Sequence, residues 1–152
     1  MKTIITYGTF DLFHIGHLNM LKQLSQLGER LVIGLSTDEF NKEKGKQSIF
    51  SYEERKSLLE ANRYVDLVIP EKSWKQKEQD IIDHSACIFA IGDDWQGAFD
   101  HLESFCEVRY LPRTKNISTT EIKRSLQGIK NESIEEIKRA LDDLTYIIKA
   151  IE

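Results

Sequence analysis

The chain has 152 residues, 40% of them hydrophobic and 30% charged, with a net charge of −4. That suffices for one globular domain burying about two thirds of its unfolded surface, and it is too apolar for a disordered chain. The acidic balance speaks against a nucleic-acid partner, and no apolar run nears the roughly 18 residues of a membrane span or forms a signal-peptide core, so a cytoplasmic protein without nucleic-acid or membrane partners is expected.

The chain opens on a strand-like run, residues 2–7 (KTIITY), followed by GTFDLFHIGHLNML. Met20, Leu21, Leu24 and Leu27 then fall on one helical face that begins near His17, with Gly28 as the expected C-cap. A second apolar run covers 30–36 (RLVIGLS). Residues 42–46 carry Lys42, Lys44 and Lys46 with little periodicity, the look of a basic loop able to close over a phosphate. Ser51 with Glu54 reads as a capping box for a helix through about Asn62. Further strand-like runs lie at 65–69, 87–91 and 107–111. Cys87 and Cys106 lack CxxC spacing and are expected as buried, reduced thiols. Ser118 with Glu121 opens another helix through about Gln127. Ser133 with Glu136 marks a third box, ahead of Ile134, Ile137, Leu141, Leu144, Ile148 and Ile151 at heptad spacing over fewer than three heptads.

Strands alternating with helices mean a parallel sheet covered on both faces. The expected fold is therefore α/β: a Rossmann-like, doubly wound five-stranded parallel sheet over residues 1–128, with a C-terminal amphipathic helical extension over 129–152. Such sheets bind ligands beyond the carboxyl ends of their strands. Residues 8–17, 92–95 (GDDW) and 112–120 (PRTKNISTT) fall there and are expected to converge.

His14 and His17 flank Gly16 where strand gives way to helix. A zinc site would need a third ligand, and neither His84 nor His101 has supporting spacing. A phosphate fits better, because the glycine permits close approach, the helix N-terminus offers N–H groups, and a neutral imidazole still donates one hydrogen bond. Asp11 and Asp94, at two strand ends, could orient a histidine, bind a base or hold Mg²⁺ through water.

GTFDLFHIGH resembles the HxGH signature of the nucleotidylyltransferase superfamily, and ISTTEIK its second signature. YGTFDLFHIGH, STDEFN, YEERK, RYVDLVIPEKSW, QKEQDIIDH, GDDW and YLPRTKNISTT together resemble the glycerol-3-phosphate cytidylyltransferase family over residues 1–127. The resemblance implies an enzyme that transfers a cytidylyl group from CTP to sn-glycerol 3-phosphate, giving CDP-glycerol for teichoic acid or a glycerol-phosphate capsule, with Mg²⁺ carried on the CTP phosphates rather than in a protein metal site. It implies catalytic roles for His14, His17 and Arg113. CTP contacts are implied at Thr9, Phe10, Ile15, Gly16, Lys46, Arg63, Asp94, Thr114, Ile117, Ser118, Thr119 and Thr120, and substrate contacts at Lys44, Lys77, Asp11 and Arg55. A homodimer or higher homo-oligomer is also implied.

Two departures stand out. The family's RTxGISTT is RTKNISTT here: Asn116 replaces a glycine with one of the few other residues that tolerate a left-handed backbone, and Lys115 adds a positive charge. The alternatives are a cytidylyltransferase for another phosphorylated alcohol, such as phosphoethanolamine or phosphocholine, and a nucleotide-binding module without turnover.

Overall fold

In the computed structural model, residues 1–151 are described, with side chains described for 1–129 and 133–143. Two compact units are present, Met1–Asn116 and Ile117–Glu152.

The first unit is built on five parallel strands: β1 (Thr3–Gly8), β2 (Arg30–Ser36), β3 (Leu67–Glu71), β4 (Ala86–Gly92) and β5 (Glu107–Leu111). Their spatial order is β3-β2-β1-β4-β5. The chain moves outward from β1 through β2 to β3, then returns to place β4 on the other side of β1. Strand order thus reverses between β1 and β4, and the crevice beyond their carboxyl ends is the natural ligand site.

Alternation along the strands divides the core into two layers. Ile4, Leu31, Ile33 and Ile88 face α1 (Ile15–Ser25) and α3 (Tyr52–Glu60) through Leu21, Leu24 and Leu59. Ile5, Val32, Phe89 and Ile91 face the opposite side, against Ile81 of α4 (Lys77–Asp83) and Leu102 of a 3₁₀ turn. Helices therefore cover both faces, as the alternating pattern predicts.

Several local expectations change. A short helix, α2 (Asp38–Glu43), precedes and overlaps the start of the 42–46 stretch expected as an aperiodic loop. Six residues are too few to show a period, but Thr37 caps the helix by accepting the Phe40 N–H at 3.2 Å. Helix α1 starts at Ile15 and its C-cap is Gln26, so Gly28 is not the cap. Gly28 is needed for a close approach: a Cβ there would strike the Ile4 side chain and lie 2.5 Å from the Lys2 carbonyl oxygen. Cys87 is exposed rather than buried. Thr3 pairs with Ala86 and Ile4 with Ile88, so Cys87 is the extra residue of a bulge and turns out of the core.

The second unit is one helix, α5 (Thr119–Ile151). Ser118 caps it as expected, its Oγ accepting the Glu121 N–H at 3.1 Å. The helix continues through Gly128, and Ser133 is an interior residue whose Oγ donates to the Ile129 carbonyl at 3.0 Å. Propagating through a glycine costs about 1 kcal/mol, less than stopping and nucleating a second helix. Leu126, Ile129, Ile134 and Ile137 expose 41–61% of their surface along it. Leu144, Ile148 and Ile151 of the heptad pattern lie outside the described side chains. Among the described residues, no helix is long and apolar enough to cross a membrane.

Candidate active site

The loop after β1 turns sharply, with Phe10 and Leu12 in the left-handed region at φ +51° and +49°. The turn delivers His14 to the N-cap of α1. Its Nδ1 accepts the Gly16 N–H at 3.0 Å, and its own backbone N–H donates to Nδ1 of His17 at 3.3 Å. The two histidines form a reciprocal capping box normally built from Ser or Thr with Glu. Each Nδ1 acts as acceptor, so in each ring the proton resides on Nε2. Ile15 and Gly16 supply the first turn of the helix, whose N–H groups and dipole suit an anion.

The rings stack with centroids 3.8 Å apart, and His17 also packs against Phe10 at 5.4 Å and Phe13 at 5.5 Å. Burial pushes the pKa of His17 down to about 4, with His14 and Arg113 adding to the shift. Burial, then the nearby Arg113 charge, also lowers that of His14. Near pH 7 both are neutral Nε2–H donors. A neutral donor binds phosphate without the cost of desolvating an imidazolium.

Arg113 follows β5, and its Nη1 lies 3.4 Å from Asp94 Oδ2, beyond the end of β4. Asp94 thus holds a half-exposed guanidinium beside the crevice. Thr114 accepts a hydrogen bond from Asn19 Nδ2 of α1 at 3.2 Å, tying the segment after β5 to the histidine helix. Asn116 has φ +62°, the left-handed geometry its substitution for glycine requires. The segments after β1, β4 and β5 do converge through Thr114. Ile117, Ser118, Thr119 and Thr120 belong to the second unit, where Ser118 is the helix cap.

Asp11 and Arg55, expected to touch substrate, instead build the scaffold under the site. Asp11, 3% exposed, accepts the N–H groups of Ile49 and Phe50 at 2.7 and 3.0 Å. Arg55 is completely buried and donates to the carbonyls of Phe50, Thr9 and Ser36 and to Asp38 Oδ1, at 2.8–3.1 Å. A guanidinium presents several donors in a fixed fork, which suits it to gathering carbonyls from three loops. Thr9 is fixed further, its Oγ1 donating to Asn41 Oδ1 at 3.0 Å.

Arg63 is not brought to the crevice of this chain. Helix α3 returns the chain toward the amino ends of the strands, and Arg63 lies exposed on the turn after it, donating to the Tyr64 hydroxyl at 2.8 Å. Asp66, on the same turn, accepts the N–H of Leu31 at the start of β2.

Lys44 and Lys77 follow β2 and β3 at the carboxyl end. Lys77 is 2% exposed, with Nζ 2.6 Å from Glu71 Oε1. Lys44 Nζ is 2.9 Å from Ser36 Oγ and 3.9 Å from Glu71 Oε2. Lys44 is therefore anchored, whereas Lys46 is exposed. Trp74 lies within cation–π range of both ammonium groups, at 5.4 and 4.9 Å. An open cleft of about 490 Å³ reaches Lys77 between Trp74, Phe99 and His101. Sequence reasoning missed Glu71 and Trp74; their only signal was position, just past a strand run in PEKSW.

Among the described residues, no three His, Cys, Asp or Glu side chains are grouped to hold a metal ion.

Residues 5–125 match the sequence profile of the cytidylyltransferase-like family. The chain is 59% identical over 129 residues to glycerol-3-phosphate cytidylyltransferase of Bacillus subtilis, covering 85% of this chain and all of that protein. It is 54% identical to the enzyme of the same name from Staphylococcus aureus, over 84% of this chain and 97% of that one. The solved structure of a lipopolysaccharide core biosynthesis protein from Thermoplasma volcanium shares the fold, with a TM-score of 0.69, 24% identity and coverage of 76% and 99%. Sequence kinship over 85% of the chain, joined to a histidine pair at the strand-order reversal, places this chain in the glycerol-3-phosphate cytidylyltransferase family.

Proposed function

We propose that the protein catalyses CTP plus sn-glycerol 3-phosphate to CDP-glycerol plus pyrophosphate. The observation that carries this reading is the reciprocal histidine cap, which uses each Nδ1 as an acceptor and so leaves two neutral Nε2–H donors at the N-terminus of the helix that follows β1. An acceptor phosphate oxygen attacks the α-phosphorus of CTP in line. The new P–O bond forms as the bond from the α-phosphorus to the bridging oxygen breaks, and pyrophosphate takes the electron pair. His14 and His17 donate to the non-bridging α-oxygens as charge builds there, and Arg113 neutralises charge on the departing side. Nothing on the protein needs to become covalently attached.

Thr9, Phe10, Ile15 and Gly16 line the nucleotide beside the histidines, with Asp94, Lys46 and Thr114 nearby in function. Ile117 through Thr120 serve the departing phosphates, supported by their match to the family's second signature. Lys44 and Lys77 take the acceptor phosphate. Mg²⁺ accompanying CTP would supply charge neutralisation of the leaving group. The protein acts in the cytoplasm as a homo-oligomer, and its product feeds a glycerol-phosphate polymer such as teichoic acid or capsule.

The test is pyrophosphate release with Mg²⁺, crossing CTP, ATP, UTP and GTP against glycerol 3-phosphate, phosphoethanolamine, phosphocholine and ribitol 5-phosphate. Fast release with CTP and glycerol 3-phosphate alone is expected. No CTP-dependent release with any acceptor refutes the enzymatic reading, and a preference for an amine headgroup refutes the acceptor.

A further inference from the structure

We propose that Glu71 is a positioning residue of the acceptor subsite: its two carboxylate oxygens hold the ammonium groups of Lys44 and Lys77 side by side, as a cationic pair for the phosphate of a polyol phosphate monoester. This rests on the reading that Lys44 and Lys77 take that phosphate.

Glu71 ends β3 and is 2% exposed. Oε1 takes Lys77 at 2.6 Å, while Oε2 accepts the Ser36 hydroxyl at 2.5 Å and faces Lys44 at 3.9 Å. Ser36 Oγ also bonds Lys44 Nζ at 2.9 Å, so the carboxylate reaches Lys44 both directly and through a hydroxyl. Among the described residues, Glu71 is the one carboxylate ion-paired to either lysine. Aromatic rings close the arrangement: Lys77 lies 4.3 Å from the Tyr7 ring and Lys44 4.4 Å from that of Phe40.

One buried and one half-buried cation against one anion leave a net positive charge in a partly desolvated site, which a phosphate would neutralise. Lys44 is the half-buried member of the pair. Burial lowers its pKa to about 8, Glu71 opposes that shift, and Lys46, Lys77 and Arg55 add to it. On the Lys77 side the Tyr7 hydroxyl donates to Asp80 at 2.7 Å, which directs that hydroxyl proton away from the pair. Lys44 is charged below about pH 8 and loses its proton above it, so acceptor binding at pH 8 should draw a proton in. Removing the Glu71 charge lowers the Lys44 pKa further.

The experiment measures KM for glycerol 3-phosphate and for CTP in wild type, Glu71→Gln, Glu71→Asp, Lys44→Ala and Lys77→Ala, from pH 6 to 9. Variant-to-wild-type ratios cancel the acceptor's own phosphate titration near pH 6. In Glu71→Gln, a Lys44 pKa lowered by about one unit should raise the acceptor KM ratio about fivefold at pH 8 and toward tenfold at pH 9, falling toward unity by pH 6, with CTP KM within about twofold. Glu71→Asp, which keeps the charge, should hold the ratio within about threefold. A ratio flat with pH, or equal losses for both substrates, overturns the proposal while the lysine variants still raise acceptor KM. If neither lysine variant raises it, the subsite reading itself fails. Should Glu71→Gln not fold, wild type decides by calorimetry at pH 8 in buffers of different ionisation heat, with a non-hydrolysable CTP analogue bound: uptake of about half a proton per acceptor is expected, and none overturns it.

Discussion

The proposed function gives His14 a donor role on one ring nitrogen beside the capping role of the other, and substitution can separate them. Nδ1 caps helix α1 by accepting the Gly16 N–H at 3.0 Å, and Nε2 carries the donor proton. Asparagine can place Oδ1 where Nδ1 stood and is a strong N-cap, but it has nothing at the Nε2 position. His14→Asn should therefore keep the fold, with Tm within about 2 °C of wild type, yet lose a preorganised donor to the reacting phosphate. In comparable oxyanion sites that costs about 3–4 kcal/mol, on the order of a hundredfold to a thousandfold in turnover. His14→Ala loses both jobs: a similar fall in activity, plus about 0.5–2 kcal/mol of capping, or roughly 1–8 °C in Tm. Steady-state pyrophosphate release and a thermal melt of the three proteins settle it. His14→Asn at more than about a third of wild-type turnover refutes the donor role, and matching melts for the Asn and Ala variants refute the cap.

Two further outcomes follow from the same geometry. His17, with its folded pKa near 4 and an unfolded value near 6.5, binds its proton more readily unfolded; its contribution is nil above pH 6.5 and stability falls as pH drops toward 4, on the order of 3 kcal/mol in all. His17→Asn should flatten that part of the stability profile measured by urea melts, and an unchanged slope removes His17 as its source. Arg55→Met should strip three donors to carbonyls, together with the ion pair to the partly exposed Asp38, at a cost of about 3–5 kcal/mol, a Tm drop of roughly 6–20 °C. An unchanged Tm with raised substrate KM would return Arg55 to the substrate.

Much of this protein was legible in the chain itself. Strands of alternating or continuous apolar residues separated by capped helices specify a two-sided parallel sheet, because burial on both faces leaves no other arrangement. The spacing of His14, Gly16 and His17, and Asn116 in place of a glycine, carry their own local geometry: a cap and a left-handed turn depend on the few residues beside them. Tertiary structure alone decided which charged residues line the cleft and which hold the frame. Nothing in the residues flanking Arg55, Asp11 and Lys77 separates a frame-holding charge from one that lines a cleft. Arg55 becomes a bracket because carbonyls from the loops after β1 and β2 and from residue 50 arrive around it. Lys77 becomes half of a cationic pair because β2 and β3 are neighbours, which sets Ser36 beside Glu71. Arg63 is carried to the far end of the sheet because a right-handed crossover must bring the chain back before the next strand begins. These outcomes depend on contacts between distant segments, and burial and strand neighbourhood come into being only when the sheet assembles.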